Sequence, residues 1–180
     1  MREQQIIICG LGGQGILFVT RLLAETAIAK GLPVLTSETH GMAQRGGVVV
    51  SHLKVGGFTS PLVRPGQADA LLSLKPETVP LHLHFLKKDA FIATNARETV
   101  TEADSYPSVS IDADQLALSL GDPQAVNLIV LGRALAEEGR LFCTAAEVAE
   151  VIKQKMAGKD KQLARALAAF RAGLGQSKED

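Results

Sequence analysis

An α/β domain in three layers, with a mixed, mainly parallel sheet and a helical C-terminal part, is predicted by three features of this 180-residue sequence. A β-branched run, Ile6-Ile7-Ile8, leads directly into glycines at positions 10, 12, 13 and 15. A long apolar stretch free of proline follows and stops at Gly31. Beyond it, short strand-like runs alternate with helix-like ones. Continuous β-branched runs suit strands buried on both faces, the condition met inside parallel sheets.

Residues 6–9 read as the first, central strand. Residues 16–30 read as a helix apolar around most of its circumference, hence largely buried, with Gly31 just past its end. Residues 33–37 supply a second strand and complete a βαβ unit, the opening of a Rossmann-like fold. Residues 38–47, rich in glycine and polar groups, read as a loop. Residues 48–55 and 58–63 flank Gly56-Gly57, the pattern of a two-residue hairpin, which makes the sheet mixed. Strands are predicted at 70–74, 90–94 and 108–111, and a helix at 76–86 with proline near its first turn. Asp122-Pro123 suits the start of a helix reaching 138. Thr144-Ala145-Ala146-Glu147 has the spacing of a capping box for a helix to 156. An Ala-rich helix follows between 160 and 172. With no internal repeat or linker, residues 1–180 are expected to form one domain, helical in its C-terminal part from about 122 to 172.

Composition narrows the function classes. Nineteen basic and 19 acidic side chains cancel, which removes the positive field that nucleic-acid binding relies on. No apolar run approaches the roughly 18 residues a membrane span needs, and the N-terminus lacks the features of a signal peptide. A cytoplasmic protein with neither nucleic-acid nor membrane partners is expected. Cys9 and Cys143 stand far apart with no Cys-x-x-Cys, so they read as small buried hydrophobes rather than ligands of zinc or an iron–sulfur cluster. His82 and His84, two residues apart, point to different sides of a helix and read as surface residues. Asp112, Asp114 and Asp122 read as capping and turn residues. No metal site is expected on this chain.

The chemistry concentrates in two loops. Gly10-Leu11-Gly12-Gly13-Gln14-Gly15 fits G-x-G-x-x-G between a strand and a helix. Glycines let the backbone approach a ligand closely, and the free N–H groups and positive end of the helix favour phosphate. Gly12, Gly13, Gln14 and Gly15 are therefore candidate binding residues, against the alternative that the glycines serve only close packing. Glu38, after the second strand, stands near where a ribose-binding acid belongs in a nicotinamide-binding protein, which defines the alternative of a free-standing NAD-linked oxidoreductase. The second loop holds His40, Gln44 and Arg45 and closes with Gly46-Gly47. A loop after a parallel strand can lie at the carboxyl end of the sheet, so both loops are expected to converge on one crevice. Arg45 offers a planar fork suited to phosphate or carboxylate, and His40 a donor or acceptor near neutral pH.

These two motifs in this order, G-G-Q-G and H-G-M-A-Q-R-G-G, resemble the gamma-type subunits of 2-oxoacid:ferredoxin oxidoreductases. The second is most like the small subunit of members acting on indolepyruvate. The resemblance continues through Ala68-Asp69-Ala70-Leu71-Leu72, Thr94-Asn95 and Asn127-Leu128-Ile129-Val130-Leu131-Gly132, and weakens in the last two helices. It implies an accessory subunit of an enzyme that decarboxylates aryl 2-oxoacids and transfers the acyl group to coenzyme A. Thiamine diphosphate and iron–sulfur clusters then sit on a large partner subunit, electrons leave through the complex to ferredoxin, and this chain alone holds no cofactor and has no turnover. Carried onto this sequence, Gly12 to Gly15 line the approach of coenzyme A phosphates. His40, Gln44, Arg45, Gly46 and Gly47 face the same crevice or the partner, and Asn127 reaches it from a helix start. A non-catalytic docking subunit is the remaining alternative.

Overall fold

The structure, a computed structural model, describes residues 3–40, 46–98 and 100–175. Its strands are β1 (Gln4–Leu11), β2 (Val34–His40), β3 (Val48–Val55), β4 (Ala68–Ser73), β5 (Leu86–Asn95) and β6 (Ser108–Ile111). Its helices are α1 (Ile16–Ala29), α2 (Val79–His82), α3 (Ala113–Ser119), α4 (Val126–Ala136), α5 (Ala145–Lys155) and α6 (Asp160–Gly173). The sheet order is β2-β3-β1-β4-β5-β6. β1, β4, β5 and β6 pair in parallel, while β3 runs against both of its neighbours, β1 and β2. Among the described strands β3 alone is reversed, so the sheet is mixed and mainly parallel.

Ile6, Ile7, Ile8 and Cys9 are all fully buried, as a central strand with both faces covered requires. Ile6 and Ile8 face a large core shared with α1, α3, α4, α5 and α6. Ile7 and Cys9 face a smaller one with Val63, Leu71, Val79, Ile92 and Ala103. The third layer is therefore thin. It consists of irregular segments and the single turn α2, while every longer helix lies on the other side.

Several local expectations need correction. The hairpin about Gly56-Gly57 does not form, and residues 58–63 are not a strand. β3 instead pairs with β2 (Val34 opposite Val55, His40 opposite Val49) and with β1 (Gln4 opposite Val55, Leu11 opposite Val48). The hairpin thus lies one segment earlier, and β2 extends to His40 where a loop was expected. Buried on both faces along its C-terminal half, β3 needs ladder partners on both edges, and a segment interrupted by Pro61 is a poor one. Residues 76–86 form 3-10 turns at Pro76–Thr78 and Leu83–Phe85 around α2, not one helix. Pro80 lacks the N–H that would continue the ladder. His82, expected at the surface, is buried. Its Nδ1 lies 2.7 Å from the Thr78 carbonyl, so that nitrogen donates, and its ring stacks near Phe85.

The C-terminal part becomes helical sooner than expected, at α3, which Asp112 caps by accepting from the Gln115 N–H at 3.0 Å. Asp122-Pro123 forms a turn before α4, which begins at Val126. The Thr144–Glu147 capping box is present at the start of α5.

Candidate functional site

At the end of β1 the chain turns at Leu11–Gln14, with the Gln14 N–H donating to the Leu11 carbonyl at 3.1 Å. The Gln14 side chain folds back into this turn. Its Oε1 accepts from the Leu11 N–H at 2.7 Å, and its Nε2 donates to the Leu74 carbonyl at 3.2 Å. A Cβ at Gly10 would sit 2.7 Å from Gln14 Oε1, so the first glycine makes room for that carboxamide. Gly15 adopts φ +83°, a left-handed conformation that costs an L side chain, and its carbonyl accepts from the Phe18 and Val19 N–H groups. No side chain caps α1 and its first turn carries no acid. Among the described residues, the N–H groups of Gly13, Ile16 and Leu17 meet no acceptor. A Cβ at Gly13 would touch nothing within 4 Å, so the bend opens to solvent there. Unpaired N–H groups and the positive end of a helix are the features that favour a negatively charged group.

The second loop arrives at the same place because β3 runs antiparallel beside β1. Val48 stands opposite Leu11, and the Gly12 N–H donates to the Gly47 carbonyl at 2.9 Å. A Cβ at Gly12 would lie 3.6 Å from that carbonyl and 3.7 Å from the Gly46 nitrogen. The two glycine bends thus meet at the carboxyl edge of the parallel strands. Asn127, in the first turn of α4, joins them: a Cβ at Gly15 would fall 2.1 Å from its Nδ2. The Asn127 Oδ1 accepts from the Leu128 N–H at 2.7 Å. Two helix N-termini, of α1 and α4, converge on this mouth, and neither carries an acid in its first turn.

The structure brings together Gly12, Gly13, Gln14, Gly15, Gly46, Gly47 and Asn127. Gln44 and Arg45 lie outside the described residues, as does the side chain of His40, whose backbone ends β2 opposite Val49. Missing from the sequence reading is Asn95 at the end of β5. It is buried, and it donates to the same Leu74 carbonyl as Gln14 does. Its signal in the sequence was its place in Thr94-Asn95, a stretch that carries the family resemblance, and its role depends on chain segments far away.

Both cysteine thiols are buried. Burial pushes the Cys9 thiol up to about 11 against weaker hydrogen bonds from Thr78 and Ser73. Burial pushes Cys143 to about 12, with Glu147 adding to it. Among the described residues, no group of three or more His, Cys, Asp or Glu is arranged to hold a metal ion. None of the described helices is long and apolar enough to cross a membrane. Glu38 pairs in register with Ser51 of β3, which in turn stands opposite Ile8 of β1. The inserted strand therefore places it two strand spacings, about 10 Å, from β1, too far for the ribose role it takes when the second strand adjoins the first.

A mixed sheet with an inserted antiparallel strand, whose two glycine bends share one edge, defines a Rossmann-like domain. The chain belongs to the pyruvate ferredoxin/flavodoxin oxidoreductase family, whose sequence pattern matches residues 5–176, and it is a small-subunit member of the 2-oxoacid:ferredoxin oxidoreductases. It is 30% identical over 192 residues to the indolepyruvate oxidoreductase subunit IorB of Archaeoglobus fulgidus, covering 96% of this chain and 94% of that one. Its fold is similar to the gamma subunit of a keto/oxoacid ferredoxin oxidoreductase from Geobacter sulfurreducens, with a TM-score of 0.75, 23% identity and 96% of each chain covered. It is similar as well to the 2-oxoglutarate:ferredoxin oxidoreductase from Magnetococcus marinus, solved with 2-oxoglutarate, coenzyme A and succinyl-CoA bound, at a TM-score of 0.79 and 19% identity. All of this chain is covered there, and it spans 32% of that longer chain.

Proposed function

We propose that this chain is the small subunit of a thiamine-dependent oxidoreductase that acts on aryl 2-oxoacids such as indolepyruvate. It orders the active-site entrance and holds the pyrophosphate of coenzyme A. The observation that carries this reading is the Gly12 N–H to Gly47 carbonyl bond, which joins both glycine bends beside the open N-terminus of α1. Gly13, Ile16 and Leu17 offer N–H groups to the phosphates, Asn127 borders them, and Arg45 with His40 and Gln44 supplies the charged and polar rim. The chain contributes positioning and electrostatics and makes no bond itself. A large partner in the cytoplasm carries thiamine diphosphate and the iron–sulfur clusters and passes electrons to ferredoxin.

A docking-only subunit is the second reading. It draws on Gly10 and Gly15, each of which admits protein atoms where a Cβ would stand. Arg45→Ala in the reconstituted complex separates the two. Losing a charged hydrogen bond costs about 1.5–3 kcal/mol, so KM for coenzyme A is expected to rise about ten- to a hundredfold with kcat retained. An unchanged KM in an intact complex assigns Arg45 to docking. Turnover of NAD by the isolated chain contradicts both readings.

A further inference from the structure

The Asn95 side chain closes β5 in a buried position, 3% exposed, and its carboxamide has no rotational choice. Oδ1 accepts from the Ala113 N–H at 2.9 Å, which fixes the other end of the amide as the donor. That Nδ2 donates to Asp114 Oδ2 at 3.0 Å and to the Leu74 carbonyl at 3.3 Å. The Leu74 carbonyl also receives Gln14 Nε2 at 3.2 Å, and Gln14 Oε1 receives the Leu11 N–H at 2.7 Å. One carbonyl oxygen, with two lone pairs, thus joins the start of α3 to the glycine bend. The Leu74 N–H donates to the Cys9 carbonyl at 2.8 Å, so this oxygen is itself held against β1. Gly10 supports the arrangement, because a Cβ there would stand 2.7 Å from Gln14 Oε1 and 3.1 Å from Leu74 Cβ.

We infer that Asn95 is a positioning residue for the anion-binding bend: by donating to the Leu74 carbonyl alongside Gln14, it sets the orientation of the Gly12–Gly15 N–H groups. The inference deepens the coenzyme A reading and rests on it for its kinetic consequence alone. An aspartate at this position keeps the shape and the acceptor for Ala113. It sets a carboxylate oxygen against the Leu74 carbonyl and the Asp114 carboxylate, so the donor is lost and repulsion replaces it.

The test uses the assembled complex, with hydrogen exchange followed in peptides covering residues 10–17 and KM for coenzyme A measured beside kcat. Asn95→Asp is expected to speed exchange in the glycine bend and to raise KM severalfold with kcat retained. Adding Asp114→Asn restores a donor to the position-95 carboxylate but none to the Leu74 carbonyl, so the bend is expected to stay loosened in the double variant. Full recovery of exchange and KM in that double variant shows that Asn95 merely anchors α3 and overturns the inference. Unchanged exchange in Asn95→Asp overturns it as well. Faster exchange with an unchanged KM upholds Asn95 as the positioning residue and removes coenzyme A from the bend. Should Asn95→Asp not assemble, Asn95→Ser removes the Nδ2 donor together with the acceptor for Ala113 without adding charge, and unchanged exchange in residues 10–17 still overturns the inference.

Discussion

Gly15 is needed twice over, for its left-handed backbone and for the Asn127 carboxamide that fills the place of its missing Cβ. Gly13 is also left-handed, at φ +96°, but faces open space. Gly13→Ala is therefore expected to cost only the backbone penalty, about 1–2 kcal/mol. Gly15→Ala is expected to cost more, because Asn127 must also move. Denaturant unfolding of the two variants checks the order, and equal losses contradict the assigned Asn127 contact. At this scale the glycine spacing was legible in the sequence because the need is local. The atoms the glycines admit were not, since Asn127 and the Leu74 carbonyl come from other segments. Gln14 shows the same limit. Read as a residue lining the bend toward a ligand, it turns both ends of its amide to the protein.

Among the elements, those governed by adjacent residues follow the sequence closely. Gly31 ends α1 at φ +69°, and Thr144 with Glu147 caps α5 from both sides. Thr144→Ala is expected to lower stability by about 1 kcal/mol, measured as a shift of the unfolding midpoint. No shift means that the exposed cap is fully replaced by water. Pairing between elements was less legible. Gly56-Gly57 carries a hairpin signal, yet β3 finds its partners in β2 and β1, because a strand covered on both faces gains more from two ladders than from one. The thin layer over the other face of the sheet is tied down by histidine. His52 Nδ1 accepts from the Val63 N–H at 3.2 Å, and the His52 and His82 rings both lie against Phe85. Burial holds the pKa of each below the ordinary 6.5. His82 and Lys54 add to this at His52, and His84 adds to it at His82, against a hydrogen bond to Thr78. The unfolded chain then binds protons that the folded chain refuses. Stability is present above 6.5 and is lost as pH falls from there toward the depressed folded values. Tm is expected to drop between pH 7 and pH 5, and His52→Gln is expected to flatten that slope; a Tm independent of pH in this window contradicts the account.

For the whole molecule, segregating the long helices on one face brings the N-termini of α1 and α4 to the same edge as the carboxyl ends of β1 and β4. The reversal of β3 delivers the second glycine loop there too. The class of fold was legible from the β-branched run and the strand–glycine–helix opening. The convergence of the loops was only an expectation, because it depends on which strand neighbours β1. The most direct measurement is a structure of the assembled enzyme with coenzyme A bound. The account predicts pyrophosphate oxygens within roughly 2.7–3.2 Å of N–H groups in the Gly13–Leu17 bend, beside Gly46 and Gly47. A pyrophosphate seated away from both bends, with the bends buried against the partner subunit, contradicts it.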